Sequence, residues 1–228
     1  MKILISMTLI FSLNPLFAAK PPITYCDTEG LIRSEGPQAR LIVGLNSNSK
    51  RNIWSQTMRQ QLTYCISDQF KGLKPKLTKA FEDAVKDWQR YANVRFIYLR
   101  EHDKNCNSSN TNVLFRVNMF SDERGYAARA FLPYASRSQR NILFSKKFVS
   151  GSSRILLYLT KHELGHVLGF RHEHIHAENN GRCSEGGRYS SVTSYDKLSI
   201  MHYQQCDGKP LKSFLSRDDK KGAAIVYP

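Results

Sequence analysis

The chain reads as an α+β fold built on one mixed sheet, and three features of the sequence carry that reading. Two long stretches place apolar residues at helical spacing. Five short stretches alternate or cluster apolar residues as strands do, and a loop-rich tail ends in one more helical stretch. A hydrophobic fraction of 41% over 228 residues, with only 13 Gly and 8 Pro, excludes a disordered, collagenous or low-complexity protein.

The elements follow in order. Lys2, the apolar run Ile3–Leu13, then Asn14, Pro15 and Ala18–Ala19 make a positive start, a stretch too short to span a bilayer, and small residues behind it. This pattern predicts a signal peptide over residues 1–19, with an N-terminal membrane anchor as the alternative. No later apolar run approaches ~18 residues, so no transmembrane segment is expected after cleavage. Residues 20–52, rich in Pro, Gly, Ser and Asn, read as an N-terminal extension or pro-segment holding one short apolar run, Leu41–Val43. A folded domain is expected over residues 53–228.

Within it, strands are expected at Leu62–Ile66, Val94–Leu99, Asn112–Val117, Tyr126–Leu132 and Asn141–Phe144. After Pro75, the residues Leu77, Ala80, Phe81, Ala84, Val85, Trp88 and Tyr91 share one helical face. A second helix starts with Ser152 or Ser153 as N-cap, runs through Leu168 and stops at Gly169. A last helix starts near Ser216, with Asp218 and Asp219 in its first turn, where the helix dipole favours acids. The Tyr- and Arg-rich stretch Tyr126–Arg140 lines a cleft or forms a solvated face.

Lys and Arg outnumber Asp and Glu by 34 to 19, a formal charge of +15. Such a charge attracts anionic surfaces or acidic protein substrates, or simply aids solubility. No basic helix or aromatic-spaced basic patch marks a nucleic-acid module, so nucleic acid is not an expected partner. Five cysteines in an exported chain fit disulfides with one thiol left over. The expected pairs are Cys65–Cys106 and Cys183–Cys206, other connectivities remaining open. Cys26 is then a free thiol, an intermolecular partner or a temporary metal ligand in a latent form.

The chemistry sits in residues 162–172, HELGHVLGFRH. His162 and His166 lie four apart on a helix, so their rings leave one face a turn apart and can share an ion. The Glu163 carboxylate, next to the first ligand, can reach a water on that ion. Gly169 can take a positive φ, end the helix and turn the chain so that His172 returns as a third nitrogen ligand. Three imidazoles and an open position suit one catalytic Zn²⁺. His174, His176 and His202 read as supporting or surface groups rather than ligands.

HELGHVLGFRHEH, followed by TSYDKLSIMHY at Thr193–Tyr203, resembles the metzincin zinc endopeptidases and most closely their astacin-like branch. The resemblance is strong over His162–His174 and Tyr195–Tyr203, weaker over Trp54–Leu168, and gives out before residue 50. It implies a mostly parallel five-stranded sheet, an active-site helix and an irregular C-terminal subdomain. It also implies Met201 beneath the metal, Tyr203 as an extra ligand that swings to stabilise the transition state, and Glu173 as the acid that meets a mature N-terminus. The strand around Ala127–Phe131 falls where such enzymes present an edge to an extended substrate. The implied activity is a secreted or periplasmic, zinc-dependent endopeptidase of protein or peptide substrates, hydrolysing through a zinc-bound water with Glu163 as general base. The competing expectation is an inactive zinc-binding module of the same fold that binds proteins or anionic surfaces; retention of Glu163 argues against it.

Overall fold

The strands expected between residues 62 and 145 come together in one sheet. The computed structural model describes residues 24–26 (backbone), 41–120, 125–175, 183, 185–206, 208 and 212–228. The expected signal peptide, most of the extension, His176 and the Cys26 side chain lie outside the described residues.

The strands are β1 (Thr24–Cys26), β2 (Ile42–Gly44), β3 (Leu62–Ile66), β4 (Phe96–Tyr98), β5 (Phe115–Phe120), β6 (Tyr126–Arg129), β7 (Asn141–Ser145) and β8 (Tyr189–Ser191). The main sheet has the order β1-β6-β7-β5-β3-β4. Its five expected strands are present, and the three residues of β1 add a sixth at the outer edge of β6. Pairs β3–β4, β3–β5 and β5–β7 are parallel, whereas β6 runs antiparallel to β7. β1 runs parallel to β6, with Thr24 opposite Tyr126 and Cys26 opposite Ala128.

The helices are α1 (Lys74–Tyr91), α2 (Lys146–Ser150), α3 (Ser153–Val167) and α4 (Arg217–Val226). α1 buries Leu77, Ala80, Phe81, Ala84, Val85 and Trp88, the face that its apolar spacing predicts. Phe81 meets Phe144 of β7 edge-on at 6.0 Å, and the Trp88 indole N–H donates to the Lys161 carbonyl of α3 at 2.9 Å. α1 therefore ties the sheet to the helix that carries the metal motif. Among the described residues no helix is long and apolar enough to cross a membrane.

The short apolar run in the extension has a structural part. Leu41, Ile42 and Val43 are buried, and β2 pairs antiparallel with β8 of the tail. Both expected disulfides are formed: Cys65–Cys106 beside β3 and Cys183–Cys206 in the tail.

Candidate metal centre

α3 turns eleven of its last twelve residues inward; Leu156 and every residue from Tyr158 to Val167 are buried. A helix buried almost all round needs its polar groups satisfied, and its two histidines each find a backbone carbonyl. The His162 Nδ1 lies 2.8 Å from the Ile200 carbonyl, and the His166 Nδ1 lies 2.8 Å from the Phe170 carbonyl. A carbonyl can only accept, so each Nδ1 carries the proton and each Nε2 presents a lone pair.

The helix ends where the sequence predicts. Gly169 adopts φ +92°, and a Cβ there would fall 2.3 Å from the Asn52 carbonyl oxygen. Only glycine satisfies both the conformation and the space. The turn is clamped by the Trp54 indole, which donates to the Val167 carbonyl at 2.7 Å, and by the Tyr227 hydroxyl, which donates to the Leu168 carbonyl at 2.6 Å. Past the turn, Phe170 stacks on Trp88 at 5.5 Å and His172 swings back toward the helix.

The structure brings the three expected histidines together. Their Nε2 atoms lie 3.2 Å (His162–His166), 3.0 Å (His166–His172) and 3.1 Å (His162–His172) apart. Three lone pairs aimed at one point repel one another unless a cation sits between them. Tetrahedral zinc with Zn–N of about 2.0–2.1 Å sets nitrogens about 3.3–3.4 Å apart, close to the spacing here. Burial holds His162 down at about 4 and His166 well below the ordinary imidazole range, so both rings are uncharged in the metal-free chain at neutral pH, the form a metal needs. The donor set fits Zn²⁺.

His172 is oriented differently from its two partners. Its Nδ1 lies 2.6 Å from Glu185 Oε1, and the same oxygen lies 3.0 Å from His174 Nε2. The His172 and His174 rings stack at 5.1 Å. Glu185 lies two residues beyond Cys183, so the disulfide to Cys206 holds the loop that carries it. Sequence reasoning missed Glu185; the signal was an acid beside a cysteine in a glycine-rich loop, too common to single out.

The residues implied by the resemblance also gather here. Glu163 is fully buried on the helix between the first two histidines. Met201 packs under the helix, where a Cβ on Gly165 would fall 2.4 Å from its Sδ, so the glycine inside HELGH gives the methionine its room. The Tyr203 ring lies 4.2 Å from the His172 ring. Glu173 accepts from the Asp196 backbone at 2.9 Å while its own N–H donates to the Met201 carbonyl at 3.0 Å. Burial raises the Glu173 carboxyl well above the usual range. His174 and His202 are buried supporting groups: the His202 Nδ1 faces the Tyr203 carbonyl at 2.9 Å and its Nε2 faces the Tyr195 hydroxyl at 2.8 Å.

A second missed residue is Asp219. It is buried at the start of α4, accepts from Ser199 Oγ at 2.6 Å and from the Ile200 and Ser216 N–H groups at 2.8 Å. Since the Ile200 carbonyl orients His162, α4 braces the metal centre through one backbone residue. The sequence did carry a signal for it, the Ser216-x-x-Asp219 capping pattern.

A mostly parallel sheet in which β6 runs antiparallel to β7, with a helix that supplies two histidines while the following turn supplies a third, defines a metzincin zinc metalloprotease. The chain belongs to the matrixin family, whose model matches residues 53–178. Two solved structures of myroilysin are similar in fold. One has a TM-score of 0.58 at 19% identity, covering 82% of this chain and 98% of that one; the other has 0.54 at 20%, covering 78% and 86%. High choriolytic enzyme 1, a hatching enzyme zinc-protease from Oryzias latipes (medaka fish), aligns at a TM-score of 0.46 and 16% identity over 77% of this chain and 98% of that one. None of the curated proteins matches the sequence.

Proposed function

We propose that the chain is an exported endopeptidase in which His162, His166 and His172 hold zinc, Glu163 is the general base and Tyr203 assists the transition state. The observation that carries this reading is the convergence of three Nε2 lone pairs at 3.0–3.2 Å, each ring fixed through its other nitrogen. Zinc, when bound, would supply Lewis acidity, lowering the pKa of a water and polarising a peptide carbonyl. The Glu163 carboxylate takes a proton from the attacking water and returns it to the departing amine, so the peptide bond is exchanged for a carboxylate and an amine. The Tyr203 phenol donates a hydrogen bond to the oxyanion that develops on the carbonyl. The nearness of Tyr203 to His172, together with the Thr193–Tyr203 pattern, supports the astacin-like branch.

An extended peptide binds along β6, whose outer edge offers backbone groups. Thr24–Cys26 lies on that same edge, so this segment competes with substrate for it, which supports a pro-segment that includes residues 24–26 and ends ahead of the buried Leu41–Val43. Two disulfides fit an oxidising, extracytoplasmic setting. The test is cleavage of casein with and without a zinc chelator. Chelator-sensitive cleavage is expected, and Glu163→Gln is expected to keep zinc while losing turnover. Wild-type cleavage rates from purified Glu163→Gln would end the base assignment.

A further inference from the structure

Beyond the metal centre, the chain leaves β6 at Arg129 into the wall of a cavity of about 530 Å³. The cavity is walled by Arg129–Leu132 and the loop after it on one side, and by Arg171 and Gly186–Arg188 on the other. Three of its lining residues are arginines, and none is an aspartate or glutamate. It adjoins the metal centre, because Arg171 immediately precedes His172.

Each guanidinium is placed by the local structure. Arg171 is buried, donates to the Gly186 carbonyl, and lies so close to Gly187 (φ +110°) that a Cβ there would fall 2.3 Å from its Nη1. Arg188 donates to the Asn46 and Ser47 carbonyls, each at 2.8 Å, and to Ser49 Oγ at 3.0 Å. These acceptors of Arg188 are neutral, so they fix the group without cancelling its charge. The Arg129 side chain has no hydrogen bond or ion pair to any described residue and is half-buried at the end of the edge strand. That edge accepts an extended chain, as the backbone of Thr24–Cys26 lying along it demonstrates.

We propose that this arginine-lined cavity is a subsite for an acidic side chain of the peptide substrate, with Arg129 as its principal partner and Arg171 and Arg188 supplying the surrounding positive field. The inference rests on the protease reading and adds the substrate class to it. A substrate carboxylate reaching past the end of β6 meets a planar guanidinium that can bind it through two N–H groups. Desolvation inside the cavity strengthens that contact relative to one on the open surface. Uncharged or basic side chains gain nothing there, and a basic one is repelled.

The experiment uses the full chain with zinc and a set of fluorogenic peptides. Each carries a single Glu, or the isosteric Gln, moved stepwise along an otherwise neutral sequence, and the readout is the Glu/Gln ratio of kcat/KM at each position. A ratio of about 10- to 100-fold is expected at one position, the discrimination that hydrogen bonds to a charged group supply. Arg129→Ala should bring that ratio toward one, Arg129→Lys should keep most of it, and Arg129→Glu should invert it in favour of the Gln peptide. Because ratios are read within each variant, a general loss of activity does not disturb them. Cleavage of the whole set with no Glu preference anywhere, or a preference that survives Arg129→Ala, overturns the subsite and leaves the protease reading standing. No cleavage of any peptide, either by the full chain or after limited proteolysis that releases Thr24–Cys26 from the β6 edge, takes down the protease reading, and the subsite with it.

Discussion

Removing the carboxylate of Glu185 should loosen zinc without touching a ligand. His162 and His166 are oriented by backbone carbonyls, which no substitution removes, whereas His172 is oriented by a side chain. Glu185 Oε1 accepts hydrogen bonds from both His172 Nδ1 (2.6 Å) and His174 Nε2 (3.0 Å), so one oxygen fixes the third ligand's tautomer, its rotation and its stacked neighbour. In Glu185→Ala the His172 ring is free to turn and its basicity falls. Loss of such a partner costs 10–100-fold in metal affinity, or about 1.4–2.8 kcal/mol. Glu185→Gln keeps an acceptor of the same reach without the charge and should fall at the lower end. Competition against a chromophoric chelator measures the affinity, and thermal unfolding of the metal-free variants separates it from damage to the fold. A folded Glu185→Ala protein that holds zinc as tightly as the unchanged chain would show that the carboxylate does not set the third ligand.

Three further outcomes follow from the same geometry. Gly169→Ala forces a side chain onto φ +92° and against the Asn52 carbonyl; it should destabilise the chain by about 3 kcal/mol or more in urea unfolding and cost zinc content as His172 shifts. Asp219→Ala leaves the Ile200 and Ser216 N–H groups and the Ser199 hydroxyl without their acceptor, with an expected loss of about 3 kcal/mol and weakened zinc binding through Ile200 and His162. In the metal-free chain His162 should stay uncharged at pH 5, because burial holds it near 4 while the unfolded ring titrates near 6.5. Between those values the unfolded chain binds more protons, so this histidine's contribution to stability is whole above the unfolded value and is lost as the pH falls toward 4. The raised carboxyl of Glu173 acts in the opposite sense, so residue-specific NMR titration is the measurement. A His162 that takes up its proton near 6.5 contradicts the burial argument.

Much of this molecule was legible before any coordinates. β3 spans the expected Leu62–Ile66, α4 begins after the expected cap at Ser216, and α3 ends at Val167 with its cap at Leu168, just ahead of Gly169. Each is set by local rules: alternation, a side-chain cap, and a conformation that only glycine takes readily. The strand read over Asn112–Val117 lies instead at Phe115–Phe120, because pairing with both β3 and β7 fixes its register and local pattern does not. Leu41–Val43 looked like an apolar run in an extension; its partner, β8, lies almost 150 residues away, and no local signal announces such a pairing.

At the metal centre the division is sharper. Spacing alone put His162 and His166 on one helical face and brought His172 back around Gly169, because helix period and glycine conformation act over a few residues. The rings' orientation was decided elsewhere, by Ile200 under the hold of Asp219, by Phe170 against Trp88, and by Glu185 on a disulfide-held loop. The three arginines around the cavity come from positions 129, 171 and 188, and each is ordinary in its own neighbourhood. A ligand's identity is a short-range property of the chain, so sequence determined it. The direction in which a ligand points, and the charge that gathers beside it, depend on groups that meet only when distant segments pack, so only the tertiary structure decided them.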